Sequence, residues 1–162
     1  MQAAIGEYEF MGMRGVFILA GYLFASVFAS PSIAGVVDET NALFDKWATA
    51  YDANDSAAVA SLYAPDAVHL GTTSTQLVIG RPAVKAYFDR IANTGYKVVL
   101  IERKIVPLDE TKALAVGFYD FTVVRDGRST LSPSRFTMVL VKRDGVWSIL
   151  HHHSSLRMTG TK

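Results

Sequence analysis

Arg143-Asp144-Gly145-Val146-Trp147-Ser148-Ile149-Leu150-His151-His152-His153-Ser154-Ser155 is the stretch that decides the fold. Asp-Gly supplies the positive φ angles of a type I′ turn, so Asp144-Gly145 predicts a two-residue hairpin. Working backwards from it, segments rich in Val, Ile, Phe and Tyr alternate and are punctuated at Asp126-Gly127 and Asp109-Glu110. Strands are therefore predicted over Tyr96 to Pro107, Lys112 to Arg125, Thr130 to Lys142 and Val146 to Arg157. Before Gly95 the period becomes helical. Phe44, Trp47, Ala48 and Tyr51 recur at i, i+3, i+4 and i+7 and predict a helix over Val37 to Asp52. Asp55 caps a second, short helix with Val59, Leu62 and Tyr63 on its apolar side, stopped by Pro65. Ala67 to Gly71 reads as a short strand. Gly80-Arg81-Pro82 opens a third helix carrying Val84, Tyr87, Phe88 and Ile91, which Asn93-Thr94-Gly95 ends. Helices followed by an antiparallel meander define an α+β fold, three helices packed on one face of a curved antiparallel sheet.

The chain has 162 residues, 50% hydrophobic and 19% charged, which fits one globular domain and excludes a disordered or fibrous protein. Sixteen Lys and Arg against fifteen Asp and Glu leave a formal charge of +1, and no run of like charges offers a nucleic-acid groove or a polybasic lipid surface. The absence of Cys removes disulfides, thiolate metal sites and a Cys nucleophile together. No Gly-rich phosphate loop follows a strand, so no nicotinamide, flavin or other cofactor is expected.

A mean hydropathy of +0.22 traces partly to the amino terminus. Gly15 to Ala29 carries no charge, follows Arg14, and runs into Ser30-Pro31-Ser32-Ile33-Ala34-Gly35. This is the layout of a signal peptide over residues 1–34, with small residues at Ser32 and Ala34 for cleavage before Gly35. Pro31 and the small residues favour cleavage over an uncleaved anchor, and Met11 or Met13 are alternative starts. An exported domain, periplasmic or secreted, is expected over residues 35–162.

On a strand His151 and His153 share one side and His152 takes the other. His69 is the only other histidine, and no third ligand completes a zinc site, so no metal is expected. On the preceding strand Ser134, Phe136, Met138 and Leu140 take one face and Arg135, Thr137, Val139 and Val141 the other. Both faces are substantially apolar, which implies that helices cover one and a second subunit the other.

Taken in order, Trp47 and Tyr51 on a helix, Leu62-Tyr63-Ala64-Pro65-Asp66-Ala67-Val68, Gly80-Arg81-Pro82 with Tyr87-Phe88, Arg135-Phe136-Thr137, and the final strand resemble the SgcJ/EcaC branch of the SnoaL-like proteins. They are also similar to the association domain of calcium/calmodulin-dependent protein kinase II. Both belong to the nuclear transport factor 2-like, or cystatin-like, superfamily, and the resemblance spans Val37 to Ser155. It implies a cone in which three helices close over a bent sheet, with a pocket at the open end and a dimer formed through the outer sheet face. By that resemblance Ser148, Leu150, His152, Ser154, Tyr119 and Met138 face the pocket, and Arg135, His151 and His153 face the dimer contact. The positions matching the kinase domain's pocket arginines are Tyr119, Met138 and Ser154. None is basic, so the expected pocket is apolar, aromatic and lightly polar.

Two functions fit these residues. In the first, an exported cone binds a small apolar or aromatic molecule between Trp47, Tyr51, Tyr63, Tyr87, Tyr119, Met138, Leu150 and Ser154. There His152 acts as acid or base, and Asp52, His69 or Tyr51 complements it in isomerase- or cyclase-type proton transfer. In the second, the chain is a non-catalytic dimerisation or oligomerisation module of the cell envelope, held by Arg135, His151 and His153.

Overall fold

The computed structural model describes residues 33–158, so the expected leader lies outside the described residues except for Ile33 and Ala34. Helix α1 runs Ile33–Asp52, four residues earlier than the apolar spacing predicts. Phe44, Trp47 and Tyr51 are buried along one face, as their spacing requires. Helix α2 spans Ser56–Ser61 and is capped by the Asp55 carboxylate, which accepts from the Ala58 N–H. It ends before Leu62 and Tyr63, which were expected on its apolar side. Strand β1, Tyr63–Leu70, takes up Tyr63 instead, because Ile149 N–H donates to the Leu62 carbonyl and Tyr63 pairs with Ile149. Pro65, expected to stop a helix, sits inside β1 where the ladder breaks between Tyr63 and Val68 and no N–H is needed.

A two-residue strand β2, Val78–Ile79, pairs with β1. Helix α3, Arg81–Phe88, has Pro82 in its first turn and runs into a single 3-10 turn, Asp89–Ile91. Then come β3 (Lys97–Pro107), β4 (Lys112–Arg125), β5 (Arg128–Arg143) and β6 (Val146–Leu156). Asp126-Gly127 and Asp144-Gly145 hold positive φ at both positions, the type I′ geometry their sequence requires.

The sheet order is β2-β1-β6-β5-β4-β3. It is mixed: β1 runs parallel to β6, and every other pairing is antiparallel. The sheet was expected to be antiparallel throughout; β1 reaches the far side of β6 through the tertiary fold, which no local turn signal records.

Two one-residue irregularities bend the sheet into a cone. Ile101 is extra between Leu100 and Glu102, close to Gly117, where a Cβ would lie 2.1 Å from the Glu102 carbonyl oxygen. Leu150 is extra opposite the Val139/Leu140 step of β5. Before it Trp147 and Ile149 point inward, and after it His152 and Ser154 do, so inward side chains are three apart at the bulge. Ser148 and Leu150, expected to face the pocket, are turned away by this bulge.

Trp47 centres the core, 5.4 Å from Tyr51, 6.0 Å from Tyr119 and 5.8 Å from His152 between ring centroids. Helix α1 is tied to β3 by the Asp52 carboxylate, which accepts from the Val98 N–H at 2.8 Å, and to β6 by Glu39, which accepts from Trp147 Nε1 at 2.5 Å. Among the described residues no helix is long and apolar enough to cross a membrane.

Candidate functional site

The concave sheet face, α1 and α3 enclose a cavity of about 300 Å³. Each element delivers its side chains by its own period. Trp47 and Tyr51, one turn apart on α1, supply one wall; Tyr119, Phe121 and Val123, alternate residues of β4, supply the adjoining one. His152 and Ser154, alternate residues of β6 beyond the bulge, form the floor with His69 of β1. Gly71, Thr72 and Thr73 follow His69 in the β1–β2 loop, and Tyr87 and Arg90, three residues apart, close the opposite rim.

A buried chain of hydrogen bonds runs beneath the floor. The Trp47 indole can only donate, and it donates to Tyr63 Oη at 3.3 Å. The Tyr63 hydroxyl lies 2.7 Å from His152 Nδ1, and its own proton is left to go there. That order puts the imidazole hydrogen on Nε2, which donates to Tyr119 Oη at 3.1 Å. Tyr119 continues to Ser154, whose hydroxyl pairs with Thr72 in the loop. Burial holds His152 well below the ordinary imidazole range and pushes the Tyr63 and Tyr119 phenols up. His152 is therefore neutral at working pH, with both ring nitrogens occupied.

His69 differs. Its ring centroid lies 4.9 Å from that of His152 and it is as deeply buried, yet neither ring nitrogen has a hydrogen-bond partner. Burial, and after it the Arg90 charge, lower its pKa to about 3 against an opposing approach to the His152 backbone that falls short of hydrogen-bond geometry. A neutral imidazole offers one N–H and one lone pair, and here both are unmet at the cavity wall. Gly71 makes room for this arrangement: a Cβ there would lie 2.0 Å from Tyr87 Oη and 2.7 Å from His69 Nε2.

Arg90 is the cation of the rim. Its guanidinium lies 3.9 Å from the Tyr87 ring centroid and donates to Thr73 Oγ1 and Tyr87 Oη. Among the described residues no group of three or more His, Asp or Glu side chains comes together at metal-binding distance.

The SnoaL-like domain family matches residues 40–159. The chain belongs to that family. This SnoaL-like domain is similar to a Xanthomonas campestris protein named for the calcium/calmodulin-dependent protein kinase II association domain: 36% identity, TM-score 0.70, covering 75% of this chain and 88% of the other. Two further solved structures share the fold. One is a Caulobacter vibrioides protein with a cystatin-like fold, at 23% identity and TM-score 0.66 over 76% of this chain and 90% of its own. The other is a Novosphingobium aromaticivorans protein named for scytalone dehydratase, at 17% identity and TM-score 0.66 over 76% and 85%. No curated protein matches the chain.

Of the side chains singled out from the sequence, Trp47, Tyr51, His69, Tyr87, Tyr119, His152 and Ser154 line the cavity of this SnoaL-like domain. Tyr63 lies one layer behind, against the lining residues His152, Trp47 and His69. Met138 is inward but sits under α1 beside Leu43 and Phe44. Leu150 is displaced by the bulge, and the Asp52 carboxylate caps β3 rather than reaching the cavity. Arg135 and His153 stand exposed on the outer face with His151 half-buried beside them, and Arg135 Nε donates to Ser155 Oγ at 3.1 Å.

A lightly polar pocket was expected; Arg90 adds a full charge at its rim, from the 3-10 turn rather than from any strand. Phe121 and Val123 were readable as the same alternation that places Tyr119.

Proposed function

We propose that this SnoaL-like domain binds a small, largely apolar or aromatic molecule in the cone, and that His69 supplies the polar contact. The observation that carries this reading is the unpartnered, buried His69 imidazole on the wall of an aromatic cavity. Leaving a buried polar group without a partner costs about 1–3 kcal/mol, and a ligand hydrogen bond recovers it. A cavity of about 300 Å³ lies at the small end of ligand pockets and fits a compact molecule. In any isomerase- or cyclase-type proton transfer, an imidazole with a pKa of about 3 is a weak base near neutral pH. His152 has no free nitrogen to offer. Hydrogen bonding by neutral groups, rather than exchange of a full proton by either histidine, is the chemistry this floor favours.

The test uses Trp47 as reporter in a Trp147→Phe protein, titrated with 4-nitroaniline, a neutral aromatic quencher. Saturable quenching that weakens about tenfold in His69→Leu supports the reading. No saturable quenching, or equal affinity in His69→Leu, contradicts it.

A second reading rests on the outer face. Phe118, Arg135, His153 and Ser155 surround a groove of about 310 Å³ there, and a second copy packed on it would use the cluster expected from the sequence. Sedimentation of Arg135→Ala and His153→Ala separates the readings: a dimer that loosens while 4-nitroaniline still binds assigns this face to assembly alone. The leader supports export, and the intact mass of protein recovered from the cell envelope tests cleavage after Ala34.

A further inference from the structure

We infer that the ligand of this cavity is an aromatic anion, its ring inside the cone and its anionic oxygen on Arg90 at the rim; the inference rests on the ligand-binding reading above. Arg90 is the one charged side chain among the described residues that line the cavity. It takes part in none of the ion pairs among the described residues. Its neighbour Asp89 does not neutralise it, because that carboxylate is held by Lys85 at 2.8 Å and Ser56 at 2.6 Å. The guanidinium is also fixed before any ligand arrives. It stacks on Tyr87 of α3 and reaches across to Thr73 of the β1–β2 loop, so little side-chain freedom is lost on binding. These two contacts use one N–H on each terminal nitrogen, and Nε has no partner among the described residues.

Two opposing effects fix the orientation. Deep in the cavity, burial outweighs Arg90: the Tyr51 phenol on the inner wall is pushed up by desolvation despite the cation. A ligand anion on the floor would meet the same penalty. At the rim Arg90 and Thr73 are exposed, so water and the guanidinium share the charge. The neutral His69 and the aromatic walls are left for the uncharged end. A cationic group placed at the rim would be repelled by Arg90.

The test compares 4-nitrophenolate with 4-nitroaniline, two probes of nearly the same shape, by Trp47 quenching in the Trp147→Phe protein at a pH where the phenol is ionised. The phenolate is expected to bind about tenfold tighter than the aniline. Arg90→Gln should erase that preference, bringing the phenolate down to the affinity of the aniline, and a thermal transition matching that of the parent shows that the variant folds. In the parent protein, added salt should weaken phenolate binding and leave the aniline unaffected. Equal affinities for the two probes, or a preference that survives Arg90→Gln and high salt, would overturn the inference and leave the ligand-binding reading standing. Failure of both probes to bind would remove that reading, and the inference with it.

Discussion

His69 and His152 sit in one buried cluster, and their hydrogen bonding sets them apart. His152 joins two tyrosine hydroxyls, so His152→Leu takes one buried hydrogen bond from each and should cost about 2–5 kcal/mol in urea denaturation. His69→Leu removes an unpartnered imidazole and should leave the apo protein as stable as the parent, or stabilise it by about 1–3 kcal/mol, while probe affinity falls. A similar large loss in both variants would contradict the distinction. The same two residues dictate a pH dependence. His69 is held to about 3 in the folded protein against 6.5 for an ordinary, solvated imidazole, and His152 is shifted in the same direction. Below 6.5 the unfolded chain binds protons that the folded chain refuses, so stability is full above that pH and declines as pH falls through it. At about 1.4 kcal/mol per pH unit, His69 alone should remove about 2 kcal/mol between pH 6.5 and pH 5. Urea midpoints at pH 7.5 and pH 5 measure this, and equal stabilities would contradict the assignment of buried, neutral rings.

At the scale of elements, the bulge at Leu150 decides which side chains meet. Ile149 and Leu150 are both apolar, so the alternation along Trp147 to Ser155 fits an uninterrupted strand as well as a bulged one, and a one-residue shift leaves no mark in composition. His152 and Ser154 were legible as inward residues because their facing is counted from beyond the irregularity. Leu150 was not, because it is the irregularity. The parallel pairing of β1 with β6 was equally hidden: Leu62 and Tyr63 continue a helical spacing locally, and only the distant Ile149 draws them into a strand. By contrast, the α1 stripe and both Asp-Gly turns depend on local sequence, and the structure follows them closely. Deleting Leu150 should therefore leave Trp147, Ile149, His152 and Ser154 all facing inward while removing the local bend, so the variant should still unfold cooperatively but bind 4-nitroaniline more weakly. Probe affinity equal to that of the parent would show that the bend is dispensable for the cavity. Gly71→Ala acts on the rim instead. Its Cβ displaces Tyr87, and with it the stacked Arg90, and crowds His69 Nε2, so probe binding should be lost.

Over the whole molecule, one sheet serves two faces. The inner face, closed by three helices, leaves a small cavity where α1, β4 and β6 diverge; the outer face carries Arg135, His151 and His153. The family and the cone were legible in the order of motifs along the chain. The rim charge was not, because in sequence Arg90 is indistinguishable from any solvated cation at a helix end. The central claim is that His69 is a neutral, unpartnered imidazole facing the ligand while His152 is locked beneath it. Long-range nitrogen–proton NMR of the histidine side chains, recorded across pH 5 to 8 and with saturating 4-nitroaniline, tests that claim most directly. The account predicts that neither buried ring titrates in this range and that the His69 ring nitrogens shift with the probe while those of His152 hold still. A His69 that titrates near 6.5, or a probe that moves His152 and leaves His69 unchanged, would contradict it.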